Sequence, residues 1–506
     1  MLSILILAVL ATEAFAHFEF AQLVDHDNPS LGTFPARYWF DNTFWKGPGS
    51  PVVFETPGEF GAEIYLDTVF NYSMVRVIAE KIGASMVILE HRYFGKSIPV
   101  DNLTTENMKY LTLENSLKDL TYFARTVELP FVKDASRGST AVDVPWVMVG
   151  GSYAGALAAW TATLFSGTFW AYYASSATVH NLVDFWQYWT PIQENMPQDC
   201  RGVATTLIDH IDNILAYGTE QNVTHLKARF GFPAKLCNDD FMAALADGAY
   251  SWVERYFYKE VGDEYPRSVF LVWCDYLTSN HTKDSAIAPA DVEAALNGYV
   301  RWWKELGRSD ARQSLGCSPD QTDYQCFASS SDNPKKLDTS LSNADDISFM
   351  WQVCSWPFED WVTGSPPGIP TIVSRYITVD YKIKDCASLF PTGPNGQTYG
   401  IAKGLTPDIV NDYTGDWTTV NTSRLIYVNG EADPFREITV SADSRPGGPL
   451  KDTPEVPVKI VPHGFHASDL LIPEGEANEG VKKVQEEVLA QLVEWVGEWP
   501  GGSLPQ

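Results

Sequence analysis

The run Gly150-Gly151-Ser152-Tyr153-Ala154-Gly155 joins a strand-like stretch, Val144-Pro145-Trp146-Val147-Met148-Val149, to a helix-like one from Ala154 to Phe165. A serine between small residues at such a junction is what a tight strand-to-helix turn presenting a nucleophile requires. Side chains two places before the serine, or two or three after it, would strike the backbone. Glycine and alanine avoid the collision and leave the Ser152 hydroxyl exposed at the sheet edge. Glycine comes one place late here, at Gly155, and Ala154 is small enough to stand in its usual position. A glycine-rich turn without chemistry is the competing reading of so short a pattern, so the rest of the chain has to supply more.

Pro51 to Glu55 and Ser85 to Glu90 are short apolar runs, and Thr168 to Ala177 reads as a further strand. Helices fit Thr68 to Lys81, Glu114 to Val127 and Tyr153 to Phe165. This alternation predicts an α/β fold, a mainly parallel sheet with helices on both faces. The character changes over about 185–385, where Thr205 to Ala216, Phe241 to Ala246 and Asp291 to Leu306 read as helices between loops rich in Ser, Asp and Pro. Strands return at Arg424 to Asn429 and Val456 to Val461. A long helix follows from Asn478 to Trp499, with Val481, Val484, Val488, Leu492 and Trp495 recurring on one face. Sheet, helical insertion, sheet is the layout of an α/β-hydrolase with a cap. The expected division is a sheet domain over 17–184, a mostly helical cap over 185–385 and the second part of the sheet domain over 386–506, behind a leader at 1–16.

A serine nucleophile needs a base, and the base needs a carboxylate that fixes its tautomer. In this layout the order is Ser, then Asp or Glu, then His, each on a loop after a strand. Asp433 closes the loop Gly430-Glu431-Ala432-Asp433 after one late strand, and His466 closes His463-Gly464-Phe465-His466 after the next. Ser152, Asp433 and His466 are the expected triad, with Glu431 and His463 as competitors in the same two loops. The Tyr153 N–H is the expected first donor to the oxyanion. The second should come from Thr56-Pro57-Gly58-Glu59, and since Pro57 has no N–H it falls to Gly58 or Glu59. Glu90-His91-Arg92-Tyr93-Phe94-Gly95-Lys96-Ser97 reads as a charged network holding a strand end.

Leu2 to Leu10 followed by Ala14-Phe15-Ala16 reads as a secretory signal peptide over 1–16, too short to span a bilayer. No later segment is long and apolar enough to cross a membrane. Five glycosylation sequons, at Asn71, Asn102, Asn222, Asn280 and Asn421, fit the same destination. A soluble, secreted glycoprotein is expected. Seven cysteines permit three bridges and leave one thiol, and none stands in a metal-type spacing. A net charge of −28 excludes nucleic acid as a partner. Near pH 4 many of these carboxylates are half protonated, so a working optimum between about pH 4 and 6 is expected.

Several longer stretches carry a family likeness. They are Arg37-Tyr38-Trp39, Gly47-Pro48-Gly49-Ser50-Pro51-Val52, Thr56-Pro57-Gly58-Glu59, Glu90-His91-Arg92-Tyr93-Phe94-Gly95, Trp146 to Tyr153, Asn429 to Pro434 and Gly464-Phe465-His466-Ala467-Ser468-Asp469-Leu470. Across nearly the whole mature chain these resemble the secreted and lysosomal proline-specific serine peptidases, the family of the Pro-Xaa carboxypeptidase and dipeptidyl peptidase II, with the acid prolyl endopeptidase of moulds as the nearer likeness. The resemblance implies the Ser152, Asp433, His466 triad, favouring His466 over His463 because the family histidine opens a His-x-x-Asp pattern. It also implies a capped α/β-hydrolase, no cofactor, and proline-containing peptides as substrate. It suggests a bridge between Cys354 and Cys386. Trp351, Trp356, Phe358 and Trp361 are candidates for an aromatic wall against the proline ring, with core packing as the alternative for each. Three departures stand out: Phe435 where the family often has Trp, Ser355-Trp356 after Cys354 where relatives often carry Glu, and Ala467 where some carry Cys.

Overall fold

The computed structural model describes residues 15–133, 138–260, 265–279, 289–329, 338–357, 361–418 and 422–501. Residues 1–14 of the expected leader, Asn280, Phe358 and Asn421 lie outside them. The described residues form two compact units, one from 15–181, 339–357 and 392–501, the other from 182–338 and 361–391.

The first unit carries the sheet. Its strands are β1 (Phe18–Leu23), β2 (Thr33–Asp41), β3 (Val52–Glu55), β4 (Ser85–Leu89), β5 (Trp146–Gly151), β6 (Ala171–Ser175), β7 (Leu425–Gly430) and β8 (Val458–Val461). They lie in the order β1-β2-β4-β3-β5-β6-β7-β8. The β1–β2 and β2–β4 pairs are antiparallel and the rest are parallel. β3, β4 and β6 are buried at every residue, which is why their sequences read as unbroken apolar runs rather than alternating ones. Phe54, Phe123, Trp146 and Phe169 cluster on one face, with ring centroids 5.3–6.3 Å apart. β1 and β2 were not expected as strands. They form an antiparallel pair, Phe18 opposite Tyr38, around the turn Pro29–Leu31, and Pro35 inside β2 hides the pattern.

The helix expected over Thr68 to Lys81 is two, Leu66–Tyr72 and Met74–Ile82. Ser73 breaks it with extended backbone: its hydroxyl accepts from Val75 N–H at 3.1 Å and donates to Val69 C=O at 2.7 Å. The C-terminal helix forms as read, at Glu479–Gly497. Asn478 caps it, and Val481, Val484, Val488, Leu492 and Trp495 are buried.

The cap expected as one stretch over 185–385 is divided otherwise. Residues 339–357 belong with the sheet unit, and the helical unit runs on to Pro391. The physical reason lies in the helix Ala344–Cys354. Its Asp345 carboxylate accepts the N–H groups of Gly61 at 2.9 Å and Gly95 at 2.7 Å, and its Ser348 hydroxyl donates to Tyr93 C=O at 3.0 Å. The Trp351 indole N–H donates to Leu111 C=O at 3.1 Å. Trp351, a candidate for the proline wall, is thus 3% exposed and a packing element of the sheet unit.

The second unit is helical among its described residues, with Gln198–Tyr217, Val269–Thr278 and Pro289–Trp302 as long elements. Trp252, Trp273, Trp302 and Trp303 are all buried there, so most of the tryptophans do serve the core. Cys200 is bridged to Cys274 and Cys317 to Cys326; Cys354 and Cys386 are each disulfide-bonded, and Cys237 is a free, exposed thiol. Asn71, Asn102 and Asn222 are exposed. Among the described residues, no helix is long and apolar enough to cross a membrane.

Candidate active site

β5 ends in Gly150-Gly151, and the helix Ser152–Leu164 begins at the next residue. Ser152 itself takes φ +56°, a left-handed conformation that non-glycine residues rarely adopt. The flanking small residues are explained by the close approach this forces. A Cβ on Gly150 would lie 2.2 Å from Ala154 O, and one on Gly155 would lie 2.6 Å from Ser175 O. Both obstacles are backbone and cannot swing aside. Gly155→Val is therefore expected to cost at least about 1–3 kcal/mol of stability, with loss of the turn. Denaturant midpoints of the variant check this, and an unchanged midpoint would contradict the geometry.

The loops after β7 and β8 are stitched together. Glu431 N–H donates to Val461 C=O at 3.0 Å and Ala432 N–H to Gly464 C=O at 2.9 Å. This brings His466 Nδ1 to 2.9 Å from Asp433 Oδ1, with the two side chains 7% and 0% exposed. Oδ1 also accepts the Phe435 N–H at 2.9 Å, while Oδ2 finds no donor among the described residues. A carboxylate only accepts, so Nδ1 carries the proton and Nε2 is left with a lone pair. Burial works against the imidazolium, but the charge and hydrogen bond of Asp433, helped by Glu59 and Asp469, hold the His466 pKa above its ordinary 6.5. Phe435, the departure from the family's Trp, still lies against the imidazole, with ring centroids 4.8 Å apart.

The competing pair sits elsewhere. His463 is 76% exposed, with Nδ1 3.4 Å from Glu431 Oε2, and its own N–H donates to that oxygen at 2.8 Å. Glu431 and His463 brace the loop entrance in solvent. The residue before Ser152 lies near the residue after His466: a Cβ added to Gly151 would be 3.5 Å from the Ala467 Cβ.

Gly58 takes φ +78°, and a Cβ placed on it would be 3.4 Å from Tyr153 Cδ1 and 3.5 Å from Ala154 N. The loop therefore runs against the first turn of the helix, where backbone N–H groups lack intrahelical partners. Glu59 is half-buried, and burial raises its carboxyl to about 7 against the opposing pull of its own backbone N–H and of His466. The Tyr153 ring is fixed from behind. His91 Nδ1 lies 2.8 Å from Arg92 C=O, so it donates there and its Nε2 accepts from the Tyr153 hydroxyl at 3.2 Å. The charged network after β4 forms as expected: Arg37 grips Glu90 at 2.9 and 2.6 Å, and Ser97 Oγ donates to Glu90 at 2.7 Å.

The aromatic candidates divide. Trp361 is 1% exposed, buried like Trp351, whereas Trp356 is half-buried, its ring 5.7 Å from Tyr413 and its indole N–H unpartnered among the described residues.

The family model for serine carboxypeptidase S28 matches residues 22–486. The chain belongs to that family. It is 36% identical over 483 residues to serine protease vicPb of Bipolaris victoriae (strain FI3), covering 94% of this chain and 88% of that protein. It is 28% identical to a probable extracellular serine carboxypeptidase of Arthroderma benhamiae, covering 92% of this chain and 64% of that protein. Among solved structures, the proline iminopeptidase of Mycobacterium smegmatis overlaps 94% of the chain at 9% identity with a TM-score of 0.36. This S28 chain is a serine peptidase with an α/β-hydrolase fold. Sequence reading of it missed Asp345, which ties down the loop carrying Gly58, and Glu55, a buried carboxyl at the end of β3; neither sits in a motif that chemistry alone would flag.

Proposed function

We propose that Ser152, His466 and Asp433 form the catalytic triad of a secreted peptidase that hydrolyses bonds on the carboxyl side of proline, as an endopeptidase in the acid range. The buried hydrogen bond between His466 and Asp433, together with Ser152 at φ +56° at the end of β5, is the observation that carries this reading. His466 Nε2 takes the Ser152 proton as Oγ attacks the peptide carbonyl. The Tyr153 and Gly58 or Glu59 N–H groups hold the oxyanion, each such donor being worth about 3–4 kcal/mol of barrier. When the C–N bond breaks, the imidazolium gives its proton to the departing amine, and water then cleaves the ester by the same route in reverse.

Proline has no N–H and a fixed φ, so a flat apolar pocket suffices for it. Trp356, the half-buried member of the candidate wall, suits that role. Glu59 bears on the mode of cleavage. Held neutral below about 7, it offers no ion pair to a free amino terminus in the acid range. That favours internal cuts over dipeptidyl release. The name of the Arthroderma benhamiae relative favours instead an exopeptidase working from the carboxyl end, and its word "extracellular" accords with the leader, the disulfides and the exposed sequons. Mass analysis of the products from a long proline-containing polypeptide separates these. Internal fragments ending in Pro are expected, stepwise loss from either end would reassign the protein to exopeptidases, and an intact polypeptide would remove the proline assignment.

A further inference from the structure

Three residues beyond His466 lies Asp469, 1% exposed, with no cation paired to it among the described residues. Its carboxylate accepts instead from two hydroxyls at the end of β6, Tyr173 Oη through one oxygen and Ser175 Oγ at 2.7 Å through the other. The next residue of that strand end, Ser176, sits at φ +46°, is held by its own N–H on Val428 C=O at 2.7 Å, and accepts the Ala467 N–H at 2.9 Å. Gln485 of the C-terminal helix closes the far side, donating to the carbonyls of Asp469 at 3.0 Å and Leu471 at 2.8 Å.

This arrangement matters because the His466 loop does not hold its own shape. His463 and Ala467 both take left-handed backbone, φ +53° and +50°, on either side of the imidazole. Such conformations persist only where the surroundings over-determine them. The surroundings here are the end of β6, and Ser175 is the register partner of Gly151, the residue before Ser152. The His466 loop is therefore anchored to the strand alongside the one that presents the nucleophile.

We propose that Asp469 is a positioning residue: with Tyr173, Ser175 and Ser176 it clamps the His466 loop to the end of β6 and so sets the imidazole between Asp433 and Ser152. The inference rests on the triad assignment above. An imidazole displaced by an ångström or so costs on the order of 100-fold in rate without weakening substrate binding. The clamp thus predicts an effect on kcat and not on KM.

The test uses the full chain with Asp469→Asn, its active sites counted by fluorophosphonate titration, and follows the low-field proton resonance of the His466–Asp433 hydrogen bond. A fall in kcat of about 10- to 100-fold at unchanged KM is expected, with loss or broadening of the resonance. If that variant does not fold, Tyr173→Phe removes one hydroxyl and keeps the ring, and a severalfold fall in kcat per titrated site is expected of it. Wild-type kcat per titrated site, or a sharp unmoved resonance, in the folded variant overturns the clamp. If wild-type protein cleaves no proline peptide while the resonance is still lost in Asp469→Asn, the clamp stands and the substrate assignment falls.

Discussion

Ser152→Ala is expected to lower kcat about 10⁶-fold and Asp433→Asn about 10⁴-fold, both with KM little changed. On the proposed triad, the first removes the attacking oxygen. The second removes nothing that touches substrate, and its effect follows from the lost charge beside the imidazole and from hydrogen-bond direction. Asp433 Oδ1, fully buried, accepts the Nδ1 proton of His466 and so leaves Nε2 free to act as a base. Asparagine lacks that charge: with its carbonyl oxygen kept on the Phe435 and Nδ1 N–H groups it leaves the imidazolium without its stabilising carboxylate, and with its amide turned to Nδ1 it meets the Phe435 N–H and shifts the ring proton to Nε2. His463→Ala, at an exposed residue paired with Glu431, is expected to keep activity within about twofold, because rim charges contribute little. Asp433 and carboxylate neighbours hold His466 above its ordinary 6.5, so the free enzyme's base is increasingly protonated below that. Initial-rate kcat/KM should therefore rise with pH across the whole acid range and level off only above 6.5, higher than the pH 4–6 optimum expected from composition. Steady-state kinetics on a proline-containing chromogenic peptide, from pH 4 to 8, check all of this. A near-wild-type Asp433→Asn would remove the triad assignment.

What the sequence made legible is the part written in local rules. The elbow needs glycine at fixed offsets, and Gly150 and Gly155 are there because backbone oxygens lie 2.2 and 2.6 Å from where a Cβ would be. The strand-loop positions of Asp433 and His466 follow from chain order, and their pairing needed no long-range information beyond it. The loop holding both His463 and His466 was ambiguous in residue type alone; burial separates them, and burial is set by the whole sheet. β1 and β2 escaped notice because Pro35 and the Pro29 turn mask an alternating pattern. The return of residues 339–357 to the sheet unit depends on Asp345 meeting Gly61 and Gly95, nearly 300 positions away in sequence for the former, which no local period records. For the same reason Trp351, a candidate for the proline wall with cap core packing as the alternative, packs against the sheet unit instead.

Glu55→Gln is expected to raise stability at pH 8 by several kcal/mol and to leave it nearly unchanged at pH 4.5. Glu55 ends β3 at 5% exposure, its Oε2 without a donor among the described residues. Burial raises its pKa from 4.5 to about 8. The folded chain thus keeps this proton while the unfolded chain sheds it near 4.5. Its contribution to stability is complete below that value and is lost as pH climbs toward about 8, at roughly 1.4 kcal/mol per unit, on the order of 4–5 kcal/mol in all. Asp247, raised by burial to about 6, and Asp469, raised by burial, act in the same direction. His91 acts oppositely. Burial lowers it from 6.5 to about 4, so the fold loses stability as pH falls through that interval. Together they bound a weakly acidic stable range, His91 on the low side and Glu55 on the high side. Glutamine keeps the shape and the neutral charge that the fold prefers, so only the high-pH limb should move. Urea midpoints of both proteins at pH 4.5 and 8 give the answer: the wild-type midpoint should fall more steeply than the variant's, and parallel curves would mean that Glu55 ionises in the folded chain as freely as in water.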